Sequence, residues 1–191
     1  MRHIAAGPAA PAGPAVSHAA GPRKAAVQRA FGALDLGTNN CRLLIARRVP
    51  DGGPDGDFRV IDAFSRVVRL GEGLAETGRL SDAAMDRTVA ALAACADKLA
   101  RRGIHQVRSV ATEACRAAVN GAEFVRRVYE ETGIALDVIT PAEEARLAVI
   151  GCQTLIDRGG RTLVFVNGAG TTEIAITRRP RRKGAAVAGD F

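Results

Sequence analysis

The chain has no tryptophan, one tyrosine and six phenylalanines in 191 residues. So few rings argue against sequence-specific nucleic-acid contact, which leans on aromatic stacking as well as charge. Long hydrophobic runs are also missing. The longest purely apolar stretch, Val89 to Ala96, falls far short of the roughly 20 residues that cross a bilayer, which excludes a transmembrane helix. Cysteine is sparse and scattered: Cys41, Cys95, Cys115 and Cys152 form no C-x-x-C pair and have no nearby histidine. That pattern argues against zinc and against a disulfide framework, and fits buried, reduced thiols in a cytoplasmic protein. His105 reads as structural.

Acidic residues are absent from residues 1–30, which carry Arg2, Arg23, Lys24 and Arg29, and Asp190 alone opposes five bases in 178–191. Each end therefore contributes +4 to the net +7, leaving −1 on residues 31–177. The basic balance belongs to the ends, and a basic nucleic-acid face on the central part is not expected. Pro8, Pro11, Pro14 and Pro22 interrupt the opening segment. It reads as a disordered Ala/Pro/Gly leader rather than a secretory signal.

From Phe31 the pattern changes. FGALDLGTNNCRLLIARRV gives two apolar strands about a Gly37–Asn40 turn, and FRVIDAFSRVVRLG a third, long or bent strand, so the three form an antiparallel meander. Ser81 caps a helix over Asp82 to Arg102 with Met85, Val89, Leu92, Ala96 and Leu99 on one stripe and Gly103 as its stop. VRSVAT is a strand, NGAEFVRRVYEETG a helix and ALDVIT a strand. Thr140, Pro141 and Glu143 then open a third helix with a capping box. The order β-β-β-α-β-α-β-α predicts a layered α/β sheet, meander on one side and parallel crossovers on the other. TLVFV and TEIAI add a further hairpin that begins another unit. The expected division is a leader over 1–30, a domain over 31–160, a hairpin over 161–177 and a basic tail over 178–191.

The hairpins at 32–46 and 162–177 share one plan: apolar strand, Gly-rich turn with Thr or Asn, apolar strand. Such turns suggest phosphate loops, because glycine lets the backbone approach an anion and its N–H groups converge on it. Asp35, at a strand end, either holds Mg²⁺ or caps its turn. Arg42 is either a phosphate contact or an exposed strand residue. Glu143 reads as the capping-box acid, and Glu144 as either a catalyst or an N-terminal helix charge.

LDLGTNNCRLLIA, VRLGEGLAETGRLSDAAMDRT and VATEACRAAVNGAEFVRRVYEETGIALDVITPAEEARLAVIG, in that order and spacing, resemble the N-terminal half of the exopolyphosphatase/guanosine pentaphosphate phosphohydrolase (Ppx/GppA) family, from about Ala33 to Ile176. The resemblance implies an α/β, ribonuclease-H-like domain of the actin-like ATPase superfamily, followed by the first hairpin of an incomplete second domain. It also implies Mg²⁺-dependent removal of the terminal phosphate of polyphosphate, or of the γ-phosphate of guanosine pentaphosphate. By position it puts Asp35, Gly37, Thr38 and Asn39 in the first phosphate loop, with Arg42 on the phosphate chain and Arg116 as a weaker second contact. Glu144 falls at the catalytic glutamate, and Glu173 matches an acid near the metal. Gly168, Gly170, Thr171 and Thr172 belong to the second loop.

That loop departs from the family's D-I-G-G-G-S-T-E: the aspartate is Val166 and a glycine is Ala169. Valine cannot ligate Mg²⁺, so weakened metal binding is expected. The chain also ends soon after the hairpin. The reading is a truncated or frameshifted gene product with impaired activity, whose exposed hairpin edges favour homodimers or other self-association. Two rivals stand beside the enzyme: a non-catalytic phosphate-binding or interaction module, and a nucleic-acid binder using its basic ends. No membrane partner is expected.

Overall fold

The structure, a computed structural model, describes residues 29–49 and 58–152 in full and the backbone alone of 161–167 and 172–178. Strands β1 (Ala30–Leu36), β2 (Asn40–Arg48) and β3 (Phe58–Val67) form the antiparallel meander. A register shift at Ile45/Ala46 accounts for the bent reading of β3. The β2–β3 connection crosses residues 50–57, which lie outside the described part. β4 (Gln106–Ala111) pairs parallel with β1, and β5 (Asp137–Val138) parallel with β4, giving the order β3-β2-β1-β4-β5.

Alternation decides which face is buried. Leu34, Leu36, Cys41, Leu43 and Ile45 point inward and are almost fully enclosed, while Ala33, Asp35, Arg42 and Leu44 point out. The inward face packs on α2 (Asp82–Arg101) and α4 (Gly121–Thr132). Met85, Val89, Leu92 and Leu99 are buried as the helical stripe requires, with Phe124 and Val128 from α4 beside them. Each such side chain contributes about 1.5–3 kcal/mol of transfer free energy. Ser81 Oγ accepts from Ala84 N at 3.3 Å to start α2, and Gly103, at φ 61°, follows its end. Asp62 of β3 takes Lys98 Nζ at 3.0 Å and Arg102 Nε at 2.8 Å, tying the end of α2 to the meander.

Two helices depart from the expected order. α1 (Leu74–Thr77) is a single turn between Gly73 and Gly78, both left-handed, and α3 (Glu113–Ala117) is five residues long; neither is long enough to display a helical period. The ALDVIT strand shrinks to two residues, because Ile139 N gives its last bond to Ala111 O and the chain turns at Thr140 into α5 (Pro141–Gly151). The capping box there is half formed. Thr140 Oγ1 accepts from Glu143 N at 3.2 Å, whereas the Glu143 carboxylate pairs with Arg146 and Arg108. β6 (Arg161–Asn167) and β7 (Thr172–Arg178) pair antiparallel as a separate two-stranded sheet.

Candidate active site

Because β1, β4 and β5 run parallel, their C-terminal ends share one rim. Leu36 lies opposite Ala111, and Ala111 opposite Val138. Thr112 N donates to Leu36 O at 3.1 Å and Ile139 N to Ala111 O at 3.0 Å, which locks the three exits side by side. From this rim emerge the Gly37–Asn39 turn, α3 and the N-terminus of α5. Open α/β sheets place their ligands beyond such carboxyl ends.

The first loop is held from one side. Gly37 N closes the turn on Asn40 O at 2.9 Å, so this amide is used within the turn itself. Thr38 O accepts from Gly71 N at 3.0 Å, and Asn39 O from Val68 N at 2.8 Å and Arg69 N at 3.1 Å. In a trans peptide the carbonyl and the following N–H point in opposite directions, so the amides of Asn39 and Asn40 face away from segment 68–71. Arg69 sits at φ 48°, a costly conformation for a non-glycine residue. Arg87 secures it, with Nε on Val68 O at 3.0 Å and Nη2 on Glu72 at 2.7 Å. A β-carbon on Gly71 would lie 2.3 Å from Thr38 Cγ2, so this position is restricted to glycine by close approach.

Asp35 and Arg42 are cross-strand partners on the outer face. They line a cleft of about 540 Å³ with Leu44, Phe64 and Val110 of the sheet and Leu147 of α5. The apolar walls strip part of the hydration from Asp35 and push its carboxyl above the ordinary range, against the pull of Arg42. An exposed carboxylate made reluctant to ionise favours a counter-cation. Among the described residues no three His, Cys, Asp or Glu side chains are grouped to hold a metal. Asp35 is the one carboxylate among the described residues that line the cleft.

Glu144 lies in the first turn of α5, whose start is fixed by the Thr140 cap and by Arg108, which reaches Glu143 at 3.1 Å and Asp137 at 3.5 Å. Arg146 foremost, then Arg108, hold the Glu143 carboxyl down at about 2. Arg116 of α3 joins this region to the rim: it donates to Ile139 O, pairs closely with Glu113, and has Nη2 4.0 Å from Glu144 Oε2. Its guanidinium is thus engaged by protein groups, a setting the sequence did not indicate. Glu113 also lines a cavity of about 280 Å³ with Thr38, Gly71, Gly78 and Ala117.

The structure brings Asp35, Gly37, Thr38, Asn39, Arg42, Arg116 and Glu144 to one end of the sheet. Gly168, Gly170 and Thr171 lie outside the described residues. Of Thr172 and Glu173 only the backbone is described; they stand opposite Asn167 and Val166 in the β6–β7 hairpin. Sequence reasoning missed Gly71, Arg87 and Glu113. VRLGEG, MDRT and ATEACR contain them, but only the close approach to Thr38, the bonds to Val68 O and Glu72, and the pairing with Arg116 single them out.

Comparison with known proteins places this geometry. The chain is 39% identical over 150 residues to exopolyphosphatase 2 of Mycobacterium tuberculosis, covering 75% of this chain and 47% of that protein. A solved structure of the Aquifex aeolicus Ppx/GppA enzyme is similar with a TM-score of 0.70 at 32% identity, over 78% of this chain and 48% of that one. An exopolyphosphatase from Cytophaga hutchinsonii gives 0.73 at 28% identity, over 79% and 47%. The chain spans about half the length of the curated relatives it matches. The sheet is that of the actin-like ATPase fold to which these proteins belong. With the Ppx/GppA phosphatase family matching residues 45–185 as well, the chain belongs to that family.

Proposed function

We propose that this chain carries the first half of a phosphoanhydride hydrolase site that removes the terminal phosphate of polyphosphate or of guanosine pentaphosphate with Mg²⁺. The observation that supports this most is the shared rim of β1, β4 and β5, which groups the first loop, Arg116 and Glu144 in a chain of this family. In this reading the Asn39 and Asn40 amides and Arg42 bind phosphate oxygens, and Arg116 adds a second cation near the transferred group. Glu144 orients the attacking water and accepts its proton. Asp35, with Glu173 from the hairpin, would hold the metal, which supplies charge neutralisation along the phosphates. The second loop, from Gly168 to Thr172, grips the same phosphate chain.

The residue at 166 gives a specific ground for a second reading. Valine stands where the family motif has aspartate, so a module that binds phosphate chains without hydrolysing them is the rival. Phosphate release from polyphosphate and, separately, from guanosine pentaphosphate decides between them. The enzyme reading predicts Mg²⁺-dependent release that Glu144→Gln abolishes. Binding with no release above the Glu144→Gln background selects the module instead, and neither binding nor release refutes both.

A further inference from the structure

Among the described residues Arg116 has three polar neighbours, and they are not equivalent. Its Nη2 makes a close pair with Glu113 one helical turn away, Nη1 donates to the Ile139 carbonyl, and Glu144 stands off at 4.0 Å. The three side chains are mostly enclosed, with 23% of Arg116, 32% of Glu113 and 22% of Glu144 exposed, so the choice of partner is made where water screens little. The other charges around this turn among the described residues are accounted for by one another: Glu143 with Arg146 and Arg108, and Arg108 with Asp137.

We infer that Glu113 is a positioning residue for Glu144 that acts through Arg116. By taking the close ion pair, Glu113 keeps the guanidinium from closing onto Glu144. A planar guanidinium prefers a bidentate carboxylate partner, and with Glu113 gone the nearest carboxylate among the described residues is Glu144. A closed Arg116–Glu144 pair would stabilise the ionised carboxylate and make it a poorer base. The Ile139 carbonyl, at the rim just before α5, fixes the other nitrogen, so the arginine is held at a set distance from the helix that carries the base. This inference rests on the reading of Glu144 as the base.

Its test is a carboxyl ¹³C NMR titration of the chain with labelled glutamate, the Glu144 signal being assigned by its loss in Glu144→Gln. Glu113→Gln should lower the Glu144 midpoint by about 1 pH unit or more, the effect of a close arginine on a carboxylate. Removing one negative charge acts in the same direction through space, so the measurement is repeated in Arg116→Gln. There the Glu113→Gln shift should largely vanish, since it passes through the arginine. Glu113→Asp, which keeps the charge and serves if Glu113→Gln loses its native melt, should hold the wild-type midpoint. A midpoint unmoved or raised in Glu113→Gln, a shift of equal size with and without Arg116, or a midpoint lowered in Glu113→Asp overturns the inference. Phosphate release that survives Glu144→Gln refutes the underlying reading of Glu144; loss of release in Glu144→Gln with no coupling in the titration refutes this inference alone.

Discussion

Gly71 and Thr38 offer a direct way to move the first loop without touching the core. Gly71 does not have a positive φ, so alanine is conformationally acceptable there, and the effect of Gly71→Ala is one of contact. Its new Cβ would lie 2.3 Å from Thr38 Cγ2. Carbon atoms rest about 3.5–4.0 Å apart, so the gap must open by more than about 1.2 Å. Thr38 must shift or change rotamer, and in either case its hydroxyl leaves its place at the loop. Overpacking of this kind costs about 1–3 kcal/mol. At about 2–4 °C per kcal/mol for a chain of this size, the melting temperature should fall by several degrees. Thr38→Ser keeps the hydroxyl and deletes the offending methyl. Followed by circular dichroism, Gly71→Ala should melt low, Thr38→Ser close to wild type, and the double variant should recover most of the loss, a coupling above about 1 kcal/mol. Gly71→Ala and the double variant melting at the same lowered temperature would refute the contact reasoning.

Asn120, 6% exposed, accepts from Leu80 N at 2.9 Å and donates to Leu80 O at 3.0 Å, joining the entry of α2 to that of α4. Asn120→Ala leaves both Leu80 groups buried without this partner and should cost about 2–4 kcal/mol in urea unfolding; a change within error would contradict the burial argument. The Asp62 carboxyl is held down to about 2, first by Lys98 and then by Arg102. A depressed folded value means that its stabilisation is present above the unfolded carboxylate range and is lost as pH falls from about 4 to about 2. Asp62→Asn should therefore flatten the acid decline of the melting temperature in that window. Asp35 has the opposite sign: desolvation raises its carboxyl, so ionisation opposes folding at neutral pH. Asp35→Asn should melt higher than wild type at pH 7, with the gain shrinking below the ordinary carboxylate range where both states are protonated.

The meander, α2 and α4 were legible because each carries its own period. Alternation fixed the inward Leu34, Leu36 and Leu43, and the stripe from Met85 to Leu99 fixed the buried side of α2. The single-turn helices were not legible, and β5 was legible as a strand but not in its length. α3 has five residues and β5 two, and both exist because hydrogen bonds from Thr112 and Ile139 secure them to neighbouring strands. The candidate site divides in the same way. The turn after β1 and the start of α5 announce themselves through glycine, proline and capping residues. The Glu113–Arg116 pair does not, because its meaning depends on how near α3 lies to α5, a distance set by the parallel pairing of β4 with β5. Glu143 shows the limit of a local motif: its backbone takes the Thr140 cap as expected, while its carboxylate answers to Arg108 from a strand 35 residues away.

The central claim is that one rim of the sheet receives the phosphate chain. The amide NMR spectrum of the ¹⁵N-labelled chain, titrated with tripolyphosphate in the presence of Mg²⁺, tests it most directly. Perturbations should concentrate at Gly37 to Asn40 and at the starts of α3 and α5, around Arg116 and Glu144, and should weaken in Arg42→Ala. Shifts confined to exposed arginines away from the rim, such as Arg101 and Arg126, or no shifts at all, would contradict it.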